Sequence, residues 1–419
     1  GRLRIIGAAL ALLVVAFGAV TAWQMTDRSA AADDVLTSSQ PLADDAADIY
    51  RSLADANTAA SSGFLAGGQE PASSRQQYQE DIDRAAAKLV TAAANSQPGS
   101  PSADAVAKLN KLLPEYTGLI ERARAANRQG FPLGGAYLRY ANDTMQGSML
   151  PVAEDLYKRE NERLRADYAN ATPYPWAAIG LGVVALGSLS WAQRRNYRRT
   201  NRVLNRGMVT ATAASTVVLL WLAVGHTVAR AELESSYDHG IRSLNVLHDA
   251  RIASLKARSN ENLTLVSRGA KTQEVGGEIK DAYDVEFGKQ MDDLTEGLTL
   301  AQRLADDQAG KKPVQVAASS MQEWKARHGE AREADDDGDY QGALDKIIGA
   351  KADKPTWECF DNVDQQLELA LKQETREFRQ AAGDGRGALG GLPVGAAVLA
   401  VLAAAAAVLG IGRRLSEYR

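Results

Sequence analysis

Residues 193–207 read QRRNYRRTNRVLNRG, a stretch with six arginines and no acidic residue. Apolar runs flank it directly, at residues 174–192 and 208–228. Two membrane helices joined by a short basic segment are the arrangement that the positive-inside rule assigns to a cytoplasmic hairpin. We therefore expect 193–207 to be a cytoplasmic loop between two transmembrane helices.

Two further apolar runs predict two more membrane crossings. Residues 5–23 and 392–411 are apolar, and each run has arginines on one flank. A signal peptide is the alternative for the first run, but its length and the aromatic Trp23 at its end favour a retained anchor. The sequence thus predicts transmembrane helices at 1–23, 174–192, 208–228 and 389–411, with a short cytoplasmic tail at 412–419.

The charges of the long segments agree with this topology. Residues 24–174 carry 15 basic and 20 acidic side chains, and residues 229–387 carry 22 basic and 31 acidic ones. Every short flank that we assign to the cytoplasm is positive, and such short flanks determine topology. We expect a multi-pass plasma-membrane protein with both termini cytoplasmic and with the domains 24–173 and 229–388 extracytoplasmic.

Each of these two domains has the pattern of four helices. Apolar residues at alternating spacings of three and four are typical of amphipathic helices that pack in a bundle. The predicted helices lie near 24–65, 73–95, 102–128 and 133–170 in the first domain, and near 229–268, 276–307, 314–334 and from 356 onward in the second. We predict an all-α polytopic membrane protein with four transmembrane helices and two tandem four-helix bundles. The bundles are similar to chemoreceptor sensor domains and are related by internal duplication.

No set of residues predicts catalysis, a cofactor or a metal site. The four histidines do not cluster with acids or with the single cysteine, Cys359, in a metal-binding spacing. Residues 385–390 read GRGALG, but no strand precedes this glycine motif and a membrane span follows it. The four apolar runs, 5–23, 174–192, 208–228 and 392–411, contain no Asp, Glu, Lys or Arg, which argues against transport. We predict a non-enzymatic protein without a cofactor and without a nucleic-acid partner.

Two stretches near the ends of the first helices carry a family resemblance. Residues 56–68 read ANTAASSGFLAGG, and residues 257–269 read ARSNENLTLVSRG. Together with the four-span plan, these stretches resemble the actinobacterial GlnX membrane proteins. The resemblance implies a link between an extracytoplasmic glutamate/aspartate-binding lipoprotein, GlnH, and the cytoplasmic protein kinase G. It implies no particular site residue.

The layout predicts a transmembrane signal transducer. A two-state bundle can pass a small piston or rotation along its helices, and the short inner segments require that another protein carry the output. With the resemblance, the predicted signal is glutamate/aspartate status, received from a GlnH-like solute-binding lipoprotein and passed to a kinase system similar to protein kinase G. A second copy of the chain is a further candidate partner.

Two alternatives to this function stay open. One is a direct small-molecule sensor that resembles the chemoreceptors and holds its ligand between bundle helices. The other is a structural scaffold or a subunit of a cell-envelope membrane complex, without any switching.

Candidate contact residues lie at the membrane-distal tips and in the basic loop. Partner docking and burial in the cap of the bundle are alternatives for the tip residues Phe64 and Leu65. The other tip candidates are Phe131, Asp336, Asp337, Asp339 and Tyr340. The candidates for contact with a cytoplasmic partner or with membrane lipids are Arg194, Arg195, Arg198, Arg199, Arg202 and Arg206.

Overall fold

The computed structural model describes residues 2–67, 70–200, 205–305, 307–349 and 355–416. Nearly all of these residues are helical, which confirms the predicted all-α class. The helices are α1 (Arg2–Asp34), α2 (Gln40–Leu65), α3 (Ala72–Asn95), α4 (Pro101–Arg128), α5 (Leu133–Thr144), α6 (Leu150–Ala171), α7 (Trp176–Thr200), α8 (Arg206–Ser235), α9 (Arg242–Ser267), α10 (Ala282–Leu304), α11 (Gln308–Asp336), α12 (Tyr340–Ile348), α13 (Thr356–Leu389) and α14 (Leu392–Ser416).

In the described part of the chain, three short π-helical turns interrupt the α-helices, at Val35–Ser39, Met145–Met149 and Ser236–Ile241. The second of these turns ends at Met149, two residues before Pro151 of α6. Proline has no N–H to donate, and its ring clashes with the carbonyl four residues earlier. A local widening of the helix at Met145–Met149 relieves both problems.

Within the described residues, four helical stretches are long and apolar enough to cross a membrane. They are Ile5–Leu65, Leu133–Arg198, Arg206–Ser235 and Thr356–Gly410. Each of them contains one of the four apolar runs of the sequence. By length and composition, these stretches are therefore candidate membrane spans.

The chain divides into two compact units. The first unit comprises Gly1–Ser38, Arg165–Tyr237 and Arg379–Arg419, and the second comprises Ser39–Leu164 and Asp238–Phe378. We call the two parts of the second unit its N-terminal segment and its C-terminal segment. The regions that the sequence presents as two tandem bundles thus contribute their central parts to one unit.

In the first unit, the four apolar helices form a ring of contacts. Helix α1 packs against α7 and α14, and α8 packs against the same two helices. Gly18 of α1 lies so close to Ala400 of α14 that a Cβ atom on Gly18 would overlap with the alanine side chain. Small residues allow this close approach in membrane helix pairs. Apolar side chains such as Leu12, Leu220 and Val401 are exposed on the outside, as a lipid-facing surface requires.

In the second unit, helix α4 shows how the sequence forms an amphipathic helix. Ser100 caps the N-terminus of α4, because its hydroxyl oxygen accepts a hydrogen bond from the backbone N–H of Ala103 at 3.2 Å. Gly130, at φ +70°, follows its last turn. The buried positions on its inner face follow helical spacing and are Val106, Leu109, Leu113, Tyr116, Ile120 and Ala123. They pack with α2, α3, α5 and part of α9 in one apolar core.

The structure differs from the predicted helices after residue 271. The strands β1 (Thr272–Val275) and β2 (Glu278–Asp281) pair antiparallel, and α10 begins only at Ala282. Gly276 and Gly277 form the turn with φ of +62° and +85°, the combination that a two-residue type I′ hairpin needs. All but the last residue of these two strands are exposed, so no apolar alternation in the sequence indicated them.

The arginine-rich stretch is also more helical than expected. Helix α7 continues to Thr200, and α8 begins at Arg206. Most of the segment 193–207 that we expected as a loop therefore extends the two apolar helices.

Candidate functional site

Helices α2 and α9 pack against each other through short polar side chains. Asn57 Nδ2 donates a hydrogen bond to Ser259 Oγ at 2.8 Å. One helical turn further along, Asn262 Nδ2 donates to Ser61 Oγ at 3.1 Å and to Ser62 Oγ at 2.8 Å. The contacting positions rise together along both helices, so the two helices run parallel. We call these five residues the polar seam.

The polar seam is buried but not fully satisfied. Asn57, Ser61, Ser259 and Asn262 are at most 4 % exposed. Asn262 Oδ1 is buried without a hydrogen-bond partner. A buried acceptor without a partner costs free energy. This arrangement of α2 and α9 therefore lacks one hydrogen bond that Asn262 Oδ1 could accept.

A cluster of mainly charged residues lies beside the seam, on α9, α10 and α11, and all of its members except Asp284 are buried. The fully buried carboxylate of Glu261 accepts hydrogen bonds from Arg258, from Trp324 Nε1 at 3.1 Å and from His328, whose Nδ1 lies 3.1 Å away. The other ring nitrogen of His328, Nε2, lies 2.9 Å from Asp284 Oδ1. We call these five residues the ionic cluster.

The protonation of the ionic cluster follows from its mutual contacts. Burial raises the pKa of Glu261, but the charges of Arg258 and His328 outweigh it and leave the pKa below its ordinary value. Burial lowers the pKa of His328, but Asp284 and Glu261 reverse this effect and raise the pKa above its ordinary value. The hydrogen bond from His328 lowers the pKa of Asp284. The cluster therefore favours a charged imidazolium between two carboxylates.

A cavity of about 460 Å³ adjoins the ionic cluster. It lies between α2, the start of α3, α9 and the start of α13, and Arg258 belongs both to its wall and to the ionic cluster. Two carboxylates, those of Asp55 and Asp361, and two aromatic rings, those of Trp357 and Phe360, also line it. Its volume lies within the range of roughly 300–1,000 Å³ that is usual for small-molecule sites.

The structure brings together some of the predicted tip residues. Leu65 is only 6 % exposed and packs in a small cluster with Leu265 and Ile347, against which Tyr340 also packs. Phe64 is partly buried on the main apolar core. Leu65 thus takes the burial alternative, and residues of both segments meet in one cap.

The remaining tip residues stay accessible. Phe131 is 57 % exposed in the turn before α5. Asp336, Asp337 and Asp339 are exposed, and Asp339 caps α12 by accepting a hydrogen bond from the backbone N–H of Gly342. Their role in docking a partner stays a prediction.

The arginine candidates lie at the ends of α7 and α8. Arg194, Arg195 and Arg198 are exposed on α7, and Arg206 is exposed at the start of α8. The guanidinium carbon of Arg195 lies 5.0 Å from the ring centre of Trp191. The side chains of Arg199 and Arg202 lie outside the described residues. Contact of these arginines with lipid or with a cytoplasmic partner stays a prediction.

The polar seam, the ionic cluster and the cavity were not among the predicted sites. Their members come from helices that are far apart in the sequence, such as Glu261 and His328 on α9 and α11. The one local signal was the polar composition of residues 56–62 and 257–262, which belong to the stretches that carry the family resemblance.

Comparison with known proteins finds a similarity for part of the chain. Residues 31–169 match the family model of the actinobacterial sensor domain. This range includes α2 to α5 and most of α6, and with them Asp55 and one side of the polar seam. Comparisons with curated proteins and with solved structures found no match. The chain is similar to actinobacterial sensor proteins over this range, and the similarity supports a sensing or signalling role.

Proposed function

We propose that the chain is a non-enzymatic transmembrane signal transducer in which a change at the polar seam carries the signal. The observation that supports this proposal is the direct, parallel pairing of α2 and α9 through hydrogen-bonded short side chains. Helix α2 continues the helical stretch that begins with the first apolar run, and α9 follows the candidate span Arg206–Ser235, each after a π-helical turn. A relative shift of α2 and α9 is therefore a displacement that the attached spans experience.

The chemistry of the seam suits such a shift. Hydroxyl and amide side chains can exchange partners over a fraction of a helical turn, whereas interlocked large apolar side chains resist sliding. Asn262 Oδ1, which has no partner here, gains one in any arrangement that brings a hydroxyl within reach. A ligand or partner that binds one arrangement better shifts the population toward it.

The proposed topology places the second unit outside the cell and both termini in the cytoplasm. The basic flanks of the apolar runs support this assignment. Labelling of single cysteines at the exposed positions Asp83, Glu274 and Arg198 in a Cys359→Ala background tests it. We expect an impermeant thiol reagent applied to intact cells to label positions 83 and 274 but not 198. Labelling of 83 and 198 from the same side contradicts the topology.

The proposed input is glutamate/aspartate status presented by a GlnH-like binding lipoprotein, and the proposed output goes to a cytoplasmic kinase system similar to protein kinase G. The resemblance to the GlnX proteins supports these partners. An internal duplication is part of the proposal. Gly67 and Gly269 both have positive φ and lie 202 residues apart, and Asn57 contacts Ser259 over the same interval.

Disulfide trapping across the seam tests the signalling proposal. In a Cys359→Ala background, the pair Asn57→Cys and Ser259→Cys reports on α2 and α9. The matched control is Ser320→Cys with Asn362→Cys, whose native side chains lie 2.9 Å apart between α11 and α13. We expect addition of glutamate or aspartate to cells to change the crosslinking rate of the first pair and not of the second. Unchanged rates for both pairs favour the scaffold alternative.

The cavity favours direct small-molecule sensing as a second candidate function. It lies against α2 and α9 and is large enough for a metabolite. The purified full chain in lipid nanodiscs separates the two inputs. If a small molecule alone changes crosslinking at the seam, the chain senses directly. If the change requires the purified binding protein, the chain is a relay.

A further inference from the structure

The cavity next to the ionic cluster has an uneven distribution of charge. Arg258, the cation in its wall, is 2 % exposed and is already bound by Glu261, Thr356 Oγ1 at 2.9 Å and the backbone carbonyl of Ile347 at 3.3 Å. Its charge is thus balanced by a carboxylate that lies outside the cavity lining. The carboxylates that face the cavity have no such balance.

Asp55 is the central one of these carboxylates. It is half-buried on α2, and the hydrogen bond that it accepts from Gln77 Nε2 is long, at 3.4 Å. No salt bridge reaches it among the described residues. The arginines that act on it electrostatically are Arg51 and Arg251, and each is paired with another acid, Arg251 with Asp364 at 2.6 Å. Burial and the nearby carboxylates of Asp81 and Asp364 raise the pKa of Asp55 to about 8. A bound cation would supply the counter-charge that stabilises the ionised Asp55 carboxylate.

Aromatic rings stand at the same cavity. Trp357 is 41 % exposed at the start of α13, and Phe360 follows on the next turn. The faces of such rings attract cations, and the attraction strengthens where water is excluded. Asp361, on the same helix, supplies a second carboxylate to the lining. Carboxylates combined with indole and phenyl rings are the chemistry that recognises an organic ammonium ion.

We propose that this cavity binds a small molecule that carries an ammonium group, held between Asp55 and the rings of Trp357 and Phe360. This ligand class deepens the proposed sensing role. Binding of the ligand does not depend on that role, and only its effect on signalling rests on the proposed function. A ligand here touches both α2 and α13 and lies beside Arg258 of α9. Its binding therefore bears on the polar seam, whose residue Ser62 also lines the cavity.

Calorimetry on the purified full chain in nanodiscs tests the proposal with defined probes. Choline and putrescine carry cations without a carboxylate, L-glutamine carries both groups, and glutarate carries carboxylates alone. We expect at least one ammonium compound to bind and glutarate not to bind. Tighter binding of L-glutamine than of the two amines identifies an amino acid as the ligand class, and the reverse order identifies a simple amine. Absence of binding by all three ammonium compounds at millimolar concentration overturns the proposal.

Three variants locate the binding site. Asp55→Asn removes the central carboxylate and should weaken binding at least about tenfold, the factor that corresponds to roughly 1.4 kcal/mol. Trp357→Leu should weaken it by about fivefold, since a cation–π contact contributes roughly 1 kcal/mol. Asp83→Asn is the matched control, because Asp83 is exposed on the neighbouring α3, and it should bind as the wild type does. Equal affinity of the Asp55→Asn and Asp83→Asn proteins, with unchanged melting temperatures, overturns the assignment.

Crosslinking at the polar seam tests the signalling mechanism separately from the binding measurement. Binding without any change of crosslinking between positions 57 and 259 supports the ammonium site and contradicts the proposed signalling mechanism. A glutamate-dependent change of crosslinking in cells, combined with no binding in calorimetry, supports the proposed signalling mechanism and contradicts the ammonium site.

Discussion

The N-terminal and C-terminal segments of the second unit are built on similar helices but have different interiors. In the N-terminal segment, Leu89, Leu109 and Tyr116 fill an apolar core, and the buried Asp81 pairs with the accessible Arg84. In the C-terminal segment, the hydrogen-bond partners of the fully buried Glu261 belong to the ionic cluster and lie within the core. The N-terminal segment is therefore stabilised mainly by apolar burial, and the C-terminal segment also by matched charges. The acids Asp55 and Asp81 of the N-terminal segment have no such cluster, and burial raises their pKa values.

The largest effect is expected at the ionic cluster. Glu261→Gln removes the negative charge and leaves Arg258 as a buried cation without a counterion. Breaking one side of a buried pair typically costs about 3–5 kcal/mol. We expect a clear drop in the melting temperature of the full chain, measured by circular dichroism. The matched control is Glu154→Gln, which breaks an exposed pair with Lys158 and should cost less than about 1 kcal/mol. Similar melting of the two variants refutes the assigned role.

A somewhat smaller loss is expected from the apolar core of the N-terminal segment. Leu109 is fully buried on α4, and Leu109→Ala removes apolar contacts and leaves a cavity. Such changes cost about 2–5 kcal/mol. Because no charge is involved, the loss should be the same across the pH range in which the protein folds. A loss that varies with pH shows that the two segments do not differ in the way described.

The pH dependence of stability sharpens the same comparison. The pKa of His328 is raised on folding, so its contribution is complete below the unfolded pKa and is lost as pH rises through the folded pKa. The pKa values of Glu261 and Asp284 are lowered, so their contributions are present above the unfolded pKa values and are lost as pH falls through the folded ones. Stability should therefore decrease on both sides of an optimum.

The variant His328→Gln isolates one side of this profile. It should flatten the decrease of the melting temperature toward alkaline pH, because the group that deprotonates is gone. Leu109→Ala should keep both limbs at a lower overall stability. If His328→Gln leaves the alkaline limb unchanged, another group is responsible for it.

The sequence predicted those features that depend on neighbours in the chain. The apolar positions of α4, from Val106 to Ile120, and the four apolar runs are periodic or continuous over one helix, so local patterns suffice to find them. The hairpin was missed because its strands have four residues each and are exposed. The adjacent Gly276 and Gly277 were the one available indication.

The candidate sites could not be predicted in the same way, because their residues meet only through tertiary packing. Trp324 and His328 reach Glu261 across intervals of 63 and 67 residues, and Asn57 reaches Ser259 across 202. Asp55 and Trp357 line one cavity although they lie on α2 and α13. In the sequence alone, each of these residues fits an ordinary position on a helix, such as that of an exposed acidic residue. Only the packing of the helices distinguishes them.

The smallest expected effects concern the ends of the two paired helices. The chain leaves α2 through Gly67 at φ +77°, whereas it leaves α9 through Arg268 at φ +48° and then Gly269. Gly67→Ala should cost about 1 kcal/mol, because a side chain at positive φ is strained and no neighbour compensates. Arg268→Gly removes a comparable strain. It also removes the contact between the guanidinium carbon and the ring of Tyr340, which are 4.0 Å apart.

These opposing terms make Arg268→Gly nearly neutral. A cation–π contact at an exposed site contributes about 0.5–1 kcal/mol, and the added glycine loses a similar amount through the entropy of the unfolded chain. Relief of about 1–2 kcal/mol of strain offsets both. In a Tyr340→Leu background the contact is already absent, so Arg268→Gly should become stabilising relative to that background. If it destabilises there as strongly as Gly67→Ala does in the wild type, the positive φ of Arg268 carries no strain, and the two helix ends differ in their tolerance of a side chain.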